Sequence, residues 1–99
     1  MNKVNERVIR DILTKMATTF SIKNKKYGNS FEISLDKYGL IAALTRISDK
    51  FNRAENLIIT HNNGTDDETL TDTLIDMANY CVMTAAYIRN DGEKDAKTR

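Results

Sequence analysis

Apolar residues near the N-terminus recur at the spacing of one face of an α-helix, and charged or amide side chains fill the positions between them. A helix returns to the same face after three or four residues. This pattern therefore predicts an amphipathic helix over residues 3–20. Its apolar positions are Val4, Val8, Ile9, Ile12, Leu13, Met16 and Phe20.

A second apolar pattern predicts a longer helix. Ser34 or Asp36 is suited to cap its N-terminus, and the pattern continues to about Ile59. Gly39 falls in the first turn and weakens this start. Steps of four and three residues alternate along the helix, which is typical of a seam that packs along another helix. The seam consists of Leu40, Leu44, Ile47, Phe51, Ala54 and Ile58.

The third predicted helix has the clearest start. Thr65 and Glu68 have the spacing of a capping box, and the acidic residues around them favour the N-terminal end of the helix dipole. Two apolar rows follow, a surface wider than one partner helix covers. The rows are Leu70, Leu74, Met77, Cys81, Ala85 and Ile88, and Ile75, Ala78, Val82 and Ala86. We therefore expect a subunit interface near Met77, Cys81, Val82 or Ala85.

These elements predict an all-α fold of three helices. The second and third form a long antiparallel hairpin, the first is an additional N-terminal helix, and copies of the chain assemble into an oligomeric helical bundle. Residues 1–90 are expected to form a single helical domain. Residues 91–99 carry no apolar anchor and are expected to form a disordered tail.

Composition narrows the classes of function. The 99 residues include 15 Lys and Arg against 14 Asp and Glu, and this net charge of +1 argues against bulk DNA binding. No apolar run approaches the roughly 20 residues that span a bilayer, so no membrane partner is expected. One cysteine forms no intramolecular disulfide, which favours the cytoplasm.

The segment 23–31 combines lysines, amides and aromatic residues around Gly28. Its ammonium groups are suited to phosphate, and Tyr27 or Phe31 is suited to stack on a base. The alternative interpretation is a solvated connector that these two aromatic residues anchor to the core, and composition alone favours it.

A second polar group spans two predicted helices. Arg46 and Arg53 lie two turns apart on one side of the second helix, where they can hold an extended anion. In the third helix, Asp76 and Asn79 interrupt an apolar stretch. A carboxylate there needs a partner, so Asp76 is expected either to pair with Arg46, Lys50 or Arg53 or to help build a site between the helices.

Three strings of residues resemble the phage nucleotide-modification-associated domain 1 family. They are Lys26–Phe31, Leu44–Arg53 and Asp72–Tyr80, and the similarity covers roughly residues 20–90. The resemblance implies a mostly helical phage or prophage protein linked to nucleotide metabolism.

The chain is also remotely similar to MazG-type all-α NTP pyrophosphohydrolases, which hold Mg²⁺ on a triphosphate with carboxylates from two facing helices. That similarity implies a metal site of Glu68, Asp72 and Asp76. The second helix departs from it, because cations surround Asp49 where that family has further carboxylates. Cations there repel Mg²⁺ and favour bare phosphate.

The sequence thus predicts a cytoplasmic, homo-oligomeric protein that binds a nucleotide or nucleotide-derived ligand, cyclic or linear, and sequesters a host defence signal without turnover. No catalytic residue and no cofactor is expected. The alternatives are a Mg²⁺-dependent nucleotide pyrophosphohydrolase or an accessory of nucleotide modification, and a structural oligomer without a small ligand. The expected ligand-binding residues are Lys25, Lys26, Tyr27, Asn29, Phe31, Arg46, Asp49, Lys50, Arg53, Asp76 and Asn79.

Overall fold

The computed structural model describes residues 2–60 and the backbone of 68–98, with side chains given for 69–90 of the second range. Over these residues the chain is all-helical, as predicted, and contains no strand. It has four helices there, so the prediction of three is wrong. They are α1 (Glu6–Tyr27), α2 (Ser30–Tyr38), α3 (Ile41–Thr60) and α4 (Glu68–Thr98). The chain divides into two compact units, Met1–Ser30 and Phe31–Arg99. The single domain and the disordered tail stay predictions.

Helix α1 is longer than its apolar pattern indicates. Asn5 caps it, since its side chain accepts a hydrogen bond from the backbone N–H of Val8 at 3.1 Å. The helix continues to Tyr27 and ends where Gly28 takes the left-handed conformation, with φ of 63°. Most of the expected loop 23–31 is therefore helical, and the connection to α2 consists of Gly28 and Asn29.

Gly39 divides the predicted second helix into α2 and α3. Its φ is 78°, a left-handed conformation that ends a helix, and its N–H donates to the carbonyl of Leu35 at 2.8 Å. The prediction placed this glycine inside the first turn of one helix, where it was expected to weaken the start. A glycine with positive φ terminates α2 instead, and α3 begins at Ile41.

Helices α3 and α4 form the antiparallel pair that the sequence predicts, and they are the main packing of the second unit. The fully buried residues of the two helices are mostly small: Ala43 and Ala54 on α3, and Thr73 beside the larger Leu70 on α4. The predicted start of the third helix at Thr65 lies outside the described residues.

The predicted seam of α3 is only partly the surface that faces α4. Ala54 is buried and Ile47 half-buried, but Leu44 and Phe51 remain 59% and 54% exposed. The helix is rotated so that its alanines meet α4, because small side chains let two helix backbones approach closely. On α4, Cys81 of the first apolar row is exposed.

Candidate polar site on the α3–α4 pair

Three cations follow one side of α3. Arg46, Lys50 and Arg53 are separated by four and three residues, so each lies about one turn from the next. The side chain of Lys50 turns towards α4 and is half-buried, whereas Arg46 and Arg53 are exposed. Arg46 makes no hydrogen bond or ion pair with the residues that the structure describes.

Lys50 pairs with Asp76 across the two helices. The Lys50 Nζ atom donates to Asp76 Oδ2 at 3.3 Å, and the two side chains are 30% and 42% exposed. The ion pair that the sequence allowed for Asp76 is therefore present, with Lys50 as its partner. It pairs the charges of both groups, and Arg46 and Arg53 flank the pair as exposed cations on α3.

Arg53 is held in place by a hydroxyl. Its Nε donates to Thr73 Oγ1 at 3.2 Å, and Thr73 Oγ1 in turn donates to the carbonyl of Thr69 at 2.8 Å. Thr73 is only 3% exposed. The bond uses the Nε donor of Arg53, and the residue is exposed, so the two Nη groups of its guanidinium keep donors for an anion.

These contacts define a polar flank of the α3–α4 pair. Its residues are Arg46, Lys50, Arg53, Thr73, Asp76 and Asn79. Two contacts, Lys50–Asp76 and Arg53–Thr73, fix the antiparallel register of the helices. Three residues forward along α3 correspond to three residues back along α4. The same register places Asn79, one turn after Asp76 and half-buried, at the level of Ile47, next to Arg46. Asp49 is exposed beside the flank.

Phe31 packs against an aromatic residue of α4. Its ring lies 5.2 Å from that of Tyr80, centroid to centroid, at an interplanar angle of 55°. Nearby, the Tyr87 hydroxyl donates to Asp36 Oδ1 at 2.7 Å. These two contacts attach α2 to α4, so for Phe31 the interpretation as an anchor agrees with the observed packing.

Four of the expected ligand-binding residues belong to the first unit. Lys25 and Lys26 are exposed in the last turn of α1, where cations favour the helix dipole. The Lys26 ammonium lies 5.6 Å from the centroid of the Tyr27 ring, a cation–π arrangement. Asn29 has a positive φ of 64° in the turn that follows. Their role in ligand binding stays a prediction.

The implied metal ligands are only partly described. Asp72 is exposed, Asp76 pairs with Lys50, and the side chain of Glu68 lies outside the described residues. Where side chains are described, no three His, Cys, Asp or Glu residues cluster as metal ligands would. No stretch of the described helices combines the length and apolar character needed to cross a bilayer.

Sequence reasoning missed Thr73. A threonine one turn after Leu70 on the apolar side of a helix is a weak signal, because a hydroxyl that bonds the carbonyl four residues earlier is common there. What distinguishes Thr73 is the arginine on the facing helix, and only the register of the two helices brings them together.

Comparison with known families supplies the context for this surface. The model of a family described as nucleotide modification associated domain 1 matches residues 23–88. The chain belongs to this family. The matched range contains every expected ligand-binding residue and both partners of each cross-helix contact on the polar flank. No curated protein and no solved structure matches the chain.

Membership in the nucleotide modification associated domain 1 family agrees with the resemblance of the three strings, and it associates the chain with nucleotide modification. Most of α1, up to Ile22, precedes the matched range. The family match therefore covers the whole α3–α4 contact that carries the polar flank.

Proposed function

We propose that the protein binds the phosphate groups of a nucleotide or nucleotide-derived ligand on the polar flank and holds this ligand without hydrolysing it. The observation that carries the proposal is the exposure of two arginines on either side of an ion pair. Asp76 neutralises Lys50, and the exposed guanidinium groups of Arg46 and Arg53 remain for an anion. Guanidinium groups bind phosphate oxygens with paired hydrogen bonds.

The spacing of the arginines suits more than one phosphate. Seven residues of α-helix span about 10 Å. Thr73 holds Arg53 at one end, and Asn79 lies within one residue of the level of Arg46 at the other, where its amide can contact a sugar or a base. Such a surface fits a ligand with two separated anionic groups, such as a dinucleotide or the ends of a polyphosphate.

Two roles follow from binding without turnover. One is sequestration of a cyclic or linear nucleotide defence signal in the cytoplasm of a phage-infected cell. The other is an accessory role in nucleotide modification, which the family's description favours. A Mg²⁺-dependent hydrolase is less well supported, because the Lys50 ammonium already pairs with the Asp76 carboxylate and would repel a metal ion there.

The experiment is calorimetry with a panel of linear and cyclic nucleotides, with Mg²⁺ or with excess chelator, followed by chromatography of the ligand. We expect at least one nucleotide to bind, to keep its affinity in chelator and to be recovered intact. Absence of binding across the panel would contradict the proposal, and so would release of pyrophosphate or phosphate with Mg²⁺.

The matched variants are Arg46→Ala and Arg7→Ala, which remove exposed arginines on and off the flank. Charged hydrogen bonds contribute roughly 1.5–3 kcal/mol, so Arg46→Ala should weaken binding about 10- to 100-fold. Arg7→Ala should leave affinity unchanged. Equal losses in both variants would show that the binding is non-specific attraction to positive charge.

A further inference from the structure

The α3–α4 pair carries an apolar face on the side opposite its polar flank. On each helix the residues of this face recur every seventh position, which is two helical turns and returns to nearly the same direction. All six are exposed to some degree in the chain alone. The apolar face consists of Leu44, Phe51 and Ile58 on α3 and Leu74, Cys81 and Ile88 on α4.

The register places both rows on one side of the pair. The contacts Lys50–Asp76 and Arg53–Thr73 lie on one side of the line along which α3 and α4 touch. The outer surfaces of the two helices on the other side of that line therefore lie next to each other. In this register Leu44 lies within one residue of the level of Cys81, and Phe51 within one residue of the level of Leu74. The two rows therefore form one continuous surface.

We propose that a second copy of the chain covers this apolar face, so that two α3–α4 pairs form a four-helix bundle. Apolar residues that recur with a period of seven are typical of helices that pack in such bundles. None of the six residues is charged, and this favours a twofold partner, because a charge near a twofold axis would face its own copy.

The exposed area also fits a dimer. Half of a large apolar side chain is roughly 70–100 Å², so the face offers roughly 400–600 Å². A standard interface buries about 800 Å² per chain, of which about two thirds is apolar in homodimers. The contact inside each pair is rich in alanine and threonine, which bury little apolar area, so the second copy would complete the core.

The test measures mass in solution for the full chain and for two variants. Sedimentation should give twice the monomer mass for the unchanged chain and the monomer mass for Leu44→Glu. Ile33→Glu on α2 places the same charge at another exposed apolar position and should stay dimeric. A monomer at high micromolar concentration, or an assembly that survives Leu44→Glu, would overturn the proposal.

Cys81 provides a measurement that needs no substitution. It lies on the apolar face, and the thiol should react with a maleimide at least tenfold more slowly in the dimer than after dilution to the monomer. A reaction rate that is independent of protein concentration while the mass changes would overturn this placement of the interface. The measurement stays informative even if Leu44→Glu fails to fold.

Discussion

The ion pair between Lys50 and Asp76 allows a quantitative test of how the two helices are held. At 3.3 Å, two unit charges attract by about 1.3 kcal/mol at the dielectric constant of water and about 5 kcal/mol at an effective constant of 20. With 30% and 42% of the side chains exposed, solvent screens the pair, and ordering the lysine costs further free energy. We therefore expect a net coupling of about 1 kcal/mol.

A double-mutant cycle of Lys50→Met and Asp76→Asn isolates this coupling from the other effects of each change. Urea unfolding followed by circular dichroism, at one fixed protein concentration, gives the four free energies of unfolding. With a urea dependence of about 1–2 kcal/mol per molar, 1 kcal/mol shifts the midpoint by about 0.5–1 M. In 1 M salt, most of the coupling should disappear.

The pair Arg10–Glu6 is a matched control. Its atoms are closer, at 2.9 Å, but its side chains are 75% and 79% exposed. Exposed pairs one turn apart in a helix contribute about 0.3–0.5 kcal/mol. If burial decides the strength of these pairs, the coupling of Lys50 with Asp76 exceeds that of the control. A smaller or equal coupling would refute the reasoning.

Further predictions concern the helix ends and the polar flank. Gly39→Ala should lower the free energy of unfolding by about 1–2 kcal/mol in urea, because L-residues are strained at its φ of 78°. The new Cβ itself would meet no atom within 4 Å, so the whole cost comes from the backbone. Asn5→Ala should cost about 0.5–2 kcal/mol through the lost cap of α1. Arg53→Ala should weaken nucleotide binding far more than it changes the unfolding midpoint, since Thr73 keeps its bond to the Thr69 carbonyl; matched losses would indicate a structural role. Calorimetry of the unchanged chain and of Asp76→Asn should show no effect of Mg²⁺ on affinity in either, and a Mg²⁺ dependence of the unchanged chain that Asp76→Asn abolishes would favour the hydrolase.

Apolar periodicity was sufficient to predict the helical class and the antiparallel contact of the two long helices. It failed at Gly39, because the residues on both sides continue the same periodicity and only the backbone angle shows that α2 ends there. It also ended α1 too early. Residues 21–27 are polar on most sides, and the last turns are nonetheless helical up to the left-handed Gly28.

For the site, a carboxylate in an apolar stretch was the informative signal. Asp76 needed a partner, and only three cations on the facing helix were available at suitable positions. The partner of Arg53 was beyond prediction because it depends on the rotation of α3. That rotation follows from Ala43 and Ala54, whose small volumes attract little notice in a hydrophobic pattern dominated by leucine and phenylalanine.

The alanine and threonine contact between α3 and α4 has a consequence for how this chain can evolve. Ala43, Ala54 and Thr73 set the spacing and rotation of both helices, so a larger side chain at any of them would shift the polar flank and the apolar face together. Substitutions on either outer surface leave the other in place. The proposed ligand site and the proposed interface can therefore change separately in evolution, provided that these three small residues stay small.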